Sequence, residues 1–231
     1  MILTPVTINF KKINDIDTHI LSTIVEKMNI QKYNTQEGYG YVVKNQDANH
    51  VSGYLIIDYP TYITEFDMTE MIIKKTKTTK KSAIEFLIDM DYNLIEIYSD
   101  KKNVVRVINE IGKLSDYAMS IENIYFKAND VIKKLNSEHI EYELKNIRMR
   151  DFSINRYTIG SFFVKVLENH EGIRLINEYN PTITYIGLNL SINNNEISVG
   201  LYESGALRIY NKLEDSTEII SVLKETLFGG G

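Results

Sequence analysis

Apolar and polar residues alternate along several segments of the chain, and elsewhere apolar residues recur every three or four positions. Alternation predicts a strand over residues 6–13. A helix follows this strand, with Asp15 or Asp17 as its N-cap. Its apolar stripe has the spacing i, i+3, i+4, i+7 of one helical face: Leu21, Ile24, Val25 and Met28. The first predicted elements are therefore a strand and an amphipathic helix.

The next segment is rich in strand-forming residues and in lysine. Residues 53–73 predict strands, with Pro60 marking an edge strand or a break. Residues 76–81 predict a loop. Five lysines crowd this loop: Lys74, Lys75, Lys77, Lys80 and Lys81. Such a run is typical either of a solvated loop or of a phosphate-binding one.

The rest of the chain predicts further strands and helices. Residues 84–98 alternate like a half-buried hairpin with its turn at 91–93, and Asp100 caps a helix after it. The remaining predicted elements are a helix capped by Asn129, a strand over 140–154, a helix from Ser161, strands over 183–192, 196–201 and 207–210, and a helix over 215–227.

The order of elements in residues 84–114 returns in residues 197–227. Both segments predict a strand, a tight turn, a strand and a helix, and in both the second strand ends in an Ile-Tyr pair. A sheet with helices on one face leaves an edge that a second copy can cover. The pattern therefore predicts an α+β fold of two pseudo-repeats of curved antiparallel sheet, with the helices packed on one face as in a saddle or helix-grip fold.

The repeat also predicts the domain organisation. The first repeat would occupy residues 1–120, with an inserted strand and loop region at 30–82. A connecting helix would lie within 121–140, and the second repeat would occupy 141–228. The glycine tail at 229–231 is left out of the fold prediction.

The second half matches a pattern of the TATA-box-binding protein family. Glu178-Tyr179-Asn180-Pro181 is followed by Tyr185-Ile186-Gly187-Leu188, and then by an apolar-aromatic segment over 199–205 that closes on Ser-Gly. The family has a Glu-Tyr-x-Pro turn, a glycine-containing strand, and an apolar-aromatic strand closing on Ser-Gly before an apolar strand and a long helix. Residues 145–227 therefore resemble a repeat of this family. The first half shares the architecture but has Tyr92-Asn93 in place of Ser-Gly.

The resemblance implies a saddle whose concave face lies in the DNA minor groove, where aromatic side chains wedge between base steps. Tyr202 stands where one wedge phenylalanine of the family would be. Strand alternation assigns a buried face: Ile186, Leu188, Leu190, Val199, Leu201, Leu207 and Ile209. The opposite face is small, polar and aromatic: Tyr185, Gly187, Asn189, Ser191, Ser198, Gly200, Tyr202, Arg208 and Tyr210. This face suits a groove or stacked bases, and the alternative is a solvated sheet surface.

Charge changes this picture for the first half. Its open face would carry four carboxylates that repel phosphates: Glu85, Asp89, Asp91 and Glu96. They would hold a divalent cation, meet a basic partner, or only keep the surface solvated. The net charge of −5 argues against a protein that coats phosphates over its whole surface. Nucleic-acid contacts are therefore expected from the second half and from the lysine-rich loop.

Catalytic and cofactor chemistry finds little support in the residues. There is no cysteine, and Gly38-Tyr39-Gly40 lacks the Lys-Ser/Thr of a phosphate-binding loop. The four histidines show no His-x-x-x-His spacing: His19, His50, His139 and His170. Asp130, Glu143 and Lys145 imitate a nuclease triplet that any charged chain produces by chance. No catalytic residue, metal or small-molecule cofactor is therefore predicted.

The segments of the chain also lack targeting features. No basic stretch followed by an apolar run resembles a secretory signal, and no stretch approaches the roughly 18 apolar residues of a membrane helix. A cytoplasmic protein without a membrane partner is expected. The leading hypothesis is a non-catalytic recognition subunit that binds nucleic acid, above all DNA, through the TATA-box-binding-protein-like sheet face. The alternative is a protein-interaction subunit of a larger bacterial, archaeal or viral complex that uses the same sheet face.

Overall fold

The computed structural model describes residues 5–211 and 216–229, except for the side chains of residues 152–155, 181, 216 and 217. This described part of the chain is α+β, with five α-helices and eleven strands in antiparallel arrangement, which confirms the predicted class. The chain divides into two compact units. Unit 1 comprises Met1–Lys12, Tyr98–Asp100 and Glu122–Gly231, and unit 2 comprises Ile13–Ile97 and Lys101–Ile121. The pseudo-repeat and its saddle shape stay a prediction.

Unit 2 is a sheet with two helices. Its strand order is β2-β3-β4-β5. In chain order its elements are α1 (Thr18–Ile30), β2 (Tyr39–Gln46), β3 (His50–Asp67), β4 (Ile72–Asp89), β5 (Leu94–Tyr98) and α2 (Lys101–Leu114). Asp17, and not Asp15, is the N-cap of α1, because its side chain accepts a hydrogen bond from the Ile20 amide at 2.7 Å. The predicted apolar stripe of α1 is fully buried.

Strands β3 and β4 form one long hairpin that corrects the predicted loop. Each strand has 18 residues, and their pairing runs without interruption from His50 opposite Asp89 to Asp67 opposite Ile72. Residues 76–81 are therefore strand and not loop. Pro60 does not break β3, where it lies opposite Thr79 on β4 and beyond the end of the β2 pairing at Ile57, which agrees with the predicted edge position. Three threonines stand among the lysines in this segment, and threonine favours strand conformation.

Unit 1 contains a second sheet segment, with the strand order β1-β11-β10-β9-β7-β8. Its first strand is β1 (Val6–Asn14), which belongs to unit 1 through Lys12. Strand β6 (Ser120–Asn123) belongs to unit 1 from Glu122 onward. The other elements are α3 (Ala128–Ser137), β7 (Glu141–Asn155), β8 (Thr158–Lys165), α4 (Asn169–Tyr179), a 3-10 turn (Asn180–Thr182), β9 (Ile183–Ile192), β10 (Asn195–Tyr202), β11 (Ala206–Ile209) and α5 (Ser216–Phe228). The last helix was predicted to begin at residue 215, which lies outside the described residues.

Two predicted helix starts in unit 1 are wrong. The helix predicted from Ser161 is strand β8, whose aromatic and β-branched residues pair with β7. The helix begins instead at Asn169, whose side chain accepts from the Leu144 amide at 2.7 Å and donates to the Tyr142 carbonyl at 2.8 Å. Asn129 lies inside α3 rather than capping it. The side chain of Asn180, distant in sequence, accepts from the Asn129 amide at 3.2 Å.

The core of unit 1 follows the predicted strand parity. Every residue assigned to the inward face of β9, β10 and β11 is buried: Ile186, Leu188, Leu190, Val199, Leu201, Leu207 and Ile209. Three phenylalanine rings of this unit also pack together, with Phe10 centred 5.0 Å from Phe228 and 6.3 Å from Phe126. In the described chain, no helix is both long and apolar enough to cross a membrane.

Candidate nucleic-acid interface

Four side chains form a row across neighbouring strands of unit 1. Phe163 on β8 is opposite Arg148 on β7, Arg148 is opposite Tyr185 on β9, and Tyr185 is opposite Tyr202 on β10. The Arg148 Cζ lies 5.7 Å from the centre of the Phe163 ring and 5.9 Å from that of Tyr185. The rings of Tyr185 and Tyr202 are centred 4.8 Å apart. A cation is thus held between aromatic rings on one face of the sheet.

Two glycines let the Tyr185 ring lie against the sheet. Gly187 and Gly200 are opposite each other on β9 and β10. A Cβ on Gly200 would lie 2.6 Å from Cε2 of Tyr185, and one on Gly187 would lie 2.9 Å from its Oη. The ring therefore occupies the space that side chains would fill. Its hydroxyl comes within 3.4 Å of the Tyr210 hydroxyl.

Arg208 lies on the same face, one strand further along. It is opposite Gly200 on β10, and its Cζ lies 5.3 Å from the centre of the Tyr210 ring. Its Nε is buried and has no hydrogen-bond partner among the described residues. A buried donor without an acceptor is costly. We call the whole set the arginine–aromatic face: Arg148, Phe163, Tyr185, Tyr202, Arg208 and Tyr210.

The electrostatics of this face favour anions. Within the described part of the chain, no carboxylate oxygen lies within 4.0 Å of a guanidinium nitrogen of Arg148 or Arg208. Burial raises the pKa of Tyr202, and its hydrogen bond with Tyr210 raises it further. Burial likewise raises the pKa of Tyr210, with Tyr185 as its main hydrogen-bonding contributor. Tyr202 and Tyr210 therefore stay protonated and add no negative charge to this face at neutral pH.

All four aromatic and basic residues predicted for this face are in contact with one another. Tyr185, Tyr202, Arg208 and Tyr210 are joined by the ring, hydroxyl and cation contacts given above. Tyr185 is only 9 % exposed, so it supports the face from below rather than presenting a free ring. The side chain of Asn189 accepts a hydrogen bond from the Ser198 hydroxyl at 2.7 Å.

Two members of the face were missed by the sequence analysis. Phe163 was placed on a helix because β8 was not recognised as a strand. Arg148 lies in a segment that was correctly predicted as strand, but irregular pairing beside Asn146 shifts its parity relative to Leu144. The available signal for Arg148 was its position in a predicted strand. Only the β7–β8 and β7–β9 registers show which aromatic rings it contacts.

The five lysines of the predicted loop are spread along the outer part of the β3–β4 hairpin in unit 2. Lys74 pairs with Asp67 at 2.7 Å and Glu70 at 2.9 Å, and Lys81 pairs with Asp58 at 3.3 Å. The other three have no ion pair within residues 5–211 and 216–229: Lys75, Lys77 and Lys80. The same stretch exposes large apolar side chains: Tyr59, Tyr62, Ile63, Phe66, Met68, Met71, Ile72 and Ile73.

Two of the four carboxylates predicted for the open acidic face of unit 2 are buried. Asp89 and Glu96 are each 1 % exposed, which corrects their placement on the solvent side. Asp89 is turned into the protein because its Oδ1 accepts from the Asp91 amide at 3.0 Å and the Tyr92 amide at 3.2 Å, closing the β4–β5 turn. Glu85 is neutralised by Lys44 at 2.8 Å.

Strand pairing brings His50 to two of these carboxylates. Its Nε2 lies 3.4 Å from Asp89 Oδ1 and 3.1 Å from Asp91 Oδ2, while its Nδ1 lies 3.0 Å from Asp47 Oδ1. The ligand atoms of His50, Asp89 and Asp91 are close enough together to meet one cation. The same distances describe an ion-paired histidine. No local sequence pattern predicts this group, because His50 is brought to these carboxylates only by the β3–β4 register.

Two residues of the chance nuclease triplet, Glu143 and Lys145, form an ion pair, and the third, Asp130, is exposed on α3.

Known proteins add no family to this description. A scan against protein-family models found no match for the chain, and a search of curated proteins found no relative.

Proposed function

We propose that the protein is a non-catalytic subunit that binds nucleic acid through the arginine–aromatic face of unit 1. The observation that carries the proposal is the pair of arginines on this face. Each guanidinium lies over an aromatic ring, and neither has a carboxylate partner among the described residues. Cations stacked on rings offer phosphates a charge and offer bases a flat surface.

The burial pattern supports this use of the face. The inward residues of β9, β10 and β11 are buried, so the opposite side of these strands carries the polar and aromatic groups. Arg208 is half-buried, and a phosphate oxygen is a strong acceptor for the accessible part of a guanidinium. A neutral or cationic partner would leave both arginines without a counter-charge.

The resemblance of residues 145–227 to a TATA-box-binding-protein repeat is part of this proposal. The order of β9, β10, β11 and α5 agrees with the strand, strand, strand and helix of that pattern. Tyr202 lies on the proposed contact face, as the wedge position would require. Arg148 and Phe163 extend the face beyond the residues on which the resemblance was based.

A second candidate is a protein-interaction subunit. It is favoured by the exposed apolar side chains on the outer β3–β4 hairpin, where Met68 and Met71 are 77 % and 70 % exposed. Contiguous exposed apolar surface is typical of sites that meet other proteins. This candidate places the partner on unit 2 and assigns no role to the two arginines of the arginine–aromatic face.

Binding to random-sequence DNA at two salt concentrations tests the proposal. Single-stranded and duplex DNA would each be titrated with the protein in a gel shift at about 50 mM and 200 mM salt. Two phosphate contacts predict an affinity loss of about tenfold over this range, and the unpaired lysines would steepen it. No complex with either DNA at the lower salt would refute the proposal and favour the protein-interaction candidate.

A further inference from the structure

We infer that the arginine–aromatic face takes single-stranded nucleic acid, with unpaired bases stacked on Phe163 and Tyr210 and phosphates held by Arg148 and Arg208. This inference rests on the proposed function and specifies its substrate class. It follows from how the rings are exposed, how far the row extends and how the arginines are held.

The outer rings of the face are open to stacking. The side chains of Phe163 and Tyr210 are 59 % and 42 % exposed, although each already has an arginine beside it. A base can cover such a ring only with its flat surface. In a duplex the flat surfaces are occupied by neighbouring base pairs, and only the edges face the grooves. Unpaired bases are free to stack on aromatic side chains, which contributes about 1–3 kcal/mol per base.

The length of the row suits a short stretch of one strand. Phe163, Arg148, Tyr185 and Tyr202 lie on four neighbouring strands. Neighbouring strands are about 4.8 Å apart, so the row extends about 14 Å. A row of this length therefore suits a short stretch of a single strand.

The arginines do not project as groove-reading side chains do. Arg148 is held between two rings, and Arg208 lies over Tyr210 with its Nε buried. The Tyr185 ring is likewise held down against Gly187 and Gly200. Reading a groove requires side chains that reach past the phosphates to base edges, or apolar wedges between steps. A low, flat surface of rings and guanidinium planes fits bases laid upon it.

Fluorescence anisotropy with four matched probes tests this inference. Three are labelled: an oligothymidylate of about 12 nucleotides, its duplex with oligoadenylate, and an abasic strand of equal length. The oligothymidylate length is within the usual site sizes for single strands. The fourth, polyglutamate, is unlabelled and serves as a competitor. We expect the oligothymidylate to bind at least about tenfold more tightly than the duplex or the abasic strand. Stacking worth about 1.4 kcal/mol gives this factor.

Variants connect the preference to the two rings. Phe163→Ala and Tyr210→Ala should each weaken oligothymidylate binding about tenfold, and Phe163→Tyr should retain it. Tyr125→Ala is the control, because Tyr125 is 64 % exposed in the same unit and makes no ring contact with the face in the described structure. Circular dichroism melts should show all four variants folded, since exposed substitutions change stability little.

The outcomes separate the inference from the function beneath it. If no nucleic-acid probe binds, the proposed function fails. If the duplex binds as tightly as the single strand, the protein binds nucleic acid but the inferred class is wrong. Equal binding of the abasic strand, or equal displacement by polyglutamate at the same charge, would show that charge alone is recognised and would also overturn the inference.

Discussion

The Tyr185 ring lies so close to Gly200 that a Cβ on this glycine would come within 2.6 Å of the ring's Cε2. Tyr185 is also in contact with Tyr202 and within reach of the Tyr210 hydroxyl. The missing Cβ at Gly200 therefore sets how closely the Tyr185 ring approaches the sheet, and the Tyr202 ring packs against that of Tyr185. The arginine–aromatic face depends on a residue that has no side chain of its own.

Replacing Gly200 with alanine should displace the Tyr185 ring. The added methyl group cannot share the ring's position, and crowding of this kind costs about 1–3 kcal/mol. We expect a lower urea midpoint and a shifted Tyr185 ring signal in NMR spectra. Ser198→Ala, on the same strand and face, is the control and should lose only the hydrogen bond to Asn189. An unchanged Tyr185 signal in Gly200→Ala would contradict the described packing.

The unpaired lysines of the β3–β4 hairpin make a separate prediction. If they contact phosphates, Lys75, Lys77 and Lys80 changed together to Gln should reduce the slope of log affinity against log salt by up to about three. Lys74→Gln with Lys81→Gln should change the slope less, because these lysines already have carboxylate partners. Equal slopes for the triple variant and the unchanged protein would show that the hairpin is only solvated.

A buried tyrosine pair in unit 2 predicts a loss of stability at high pH. The Tyr39 hydroxyl donates to Glu110, and the Tyr41 hydroxyl lies 3.0 Å from that of Tyr39. Burial, followed by the hydrogen bond to Glu110, raises the pKa of Tyr39 from 10.0 to about 12. Because this folded-state pKa is raised, the protonated form stabilises the fold below about pH 10, and this contribution is lost as pH rises toward 12.

Urea unfolding from pH 8 upward checks this sign. Tyr39→Phe should cost about 1 kcal/mol at neutral pH, through its lost hydrogen bond, and should flatten the decline above pH 10. The comparison with the unchanged protein removes the contributions of the other tyrosines and the lysines. Parallel pH profiles for the two proteins would show that Tyr39 titrates as it does in the unfolded chain.

The N-cap of α1 provides a test of local structure. Asp17→Ala should lower the free energy of unfolding by about 1 kcal/mol, because the Ile20 amide loses its acceptor. Asp15→Asn is a matched control, since asparagine tolerates the positive φ of 61° at that position. A loss from Asp15→Asn as large as that from Asp17→Ala would mean that the cap has been assigned to the wrong residue.

The sequence predicted those parts of the fold whose signals are local. The α1 stripe, its N-cap pair and the parity of β9, β10 and β11 depend on spacing within one element. Strand β8 was missed because Phe162, Phe163 and Val164 suit a buried helix face as well as a strand. The long β3–β4 pairing was missed because lysine and threonine in sequence resemble a solvated loop.

The site was predictable only in part, for the same reason. Alternation placed Tyr202, Arg208 and Tyr210 together because they lie on strands joined by one tight turn. Arg148 and Phe163 reach the face through two further strand pairings and an irregular register, which no local pattern contains. His50 met Asp89 and Asp91 in the same way, across a hairpin whose extent was not recognised.

The most direct test of the central claim is the binding of single-stranded DNA by a variant without the two stacked arginines. Arg148→Gln with Arg208→Gln would be compared with Lys102→Gln with Lys133→Gln, which removes the same charge from exposed positions on α2 and α3. The account predicts at least about tenfold weaker binding for the arginine pair and a much smaller change for the lysine pair. Equal affinities for the two double variants, with both proteins folded, would contradict it.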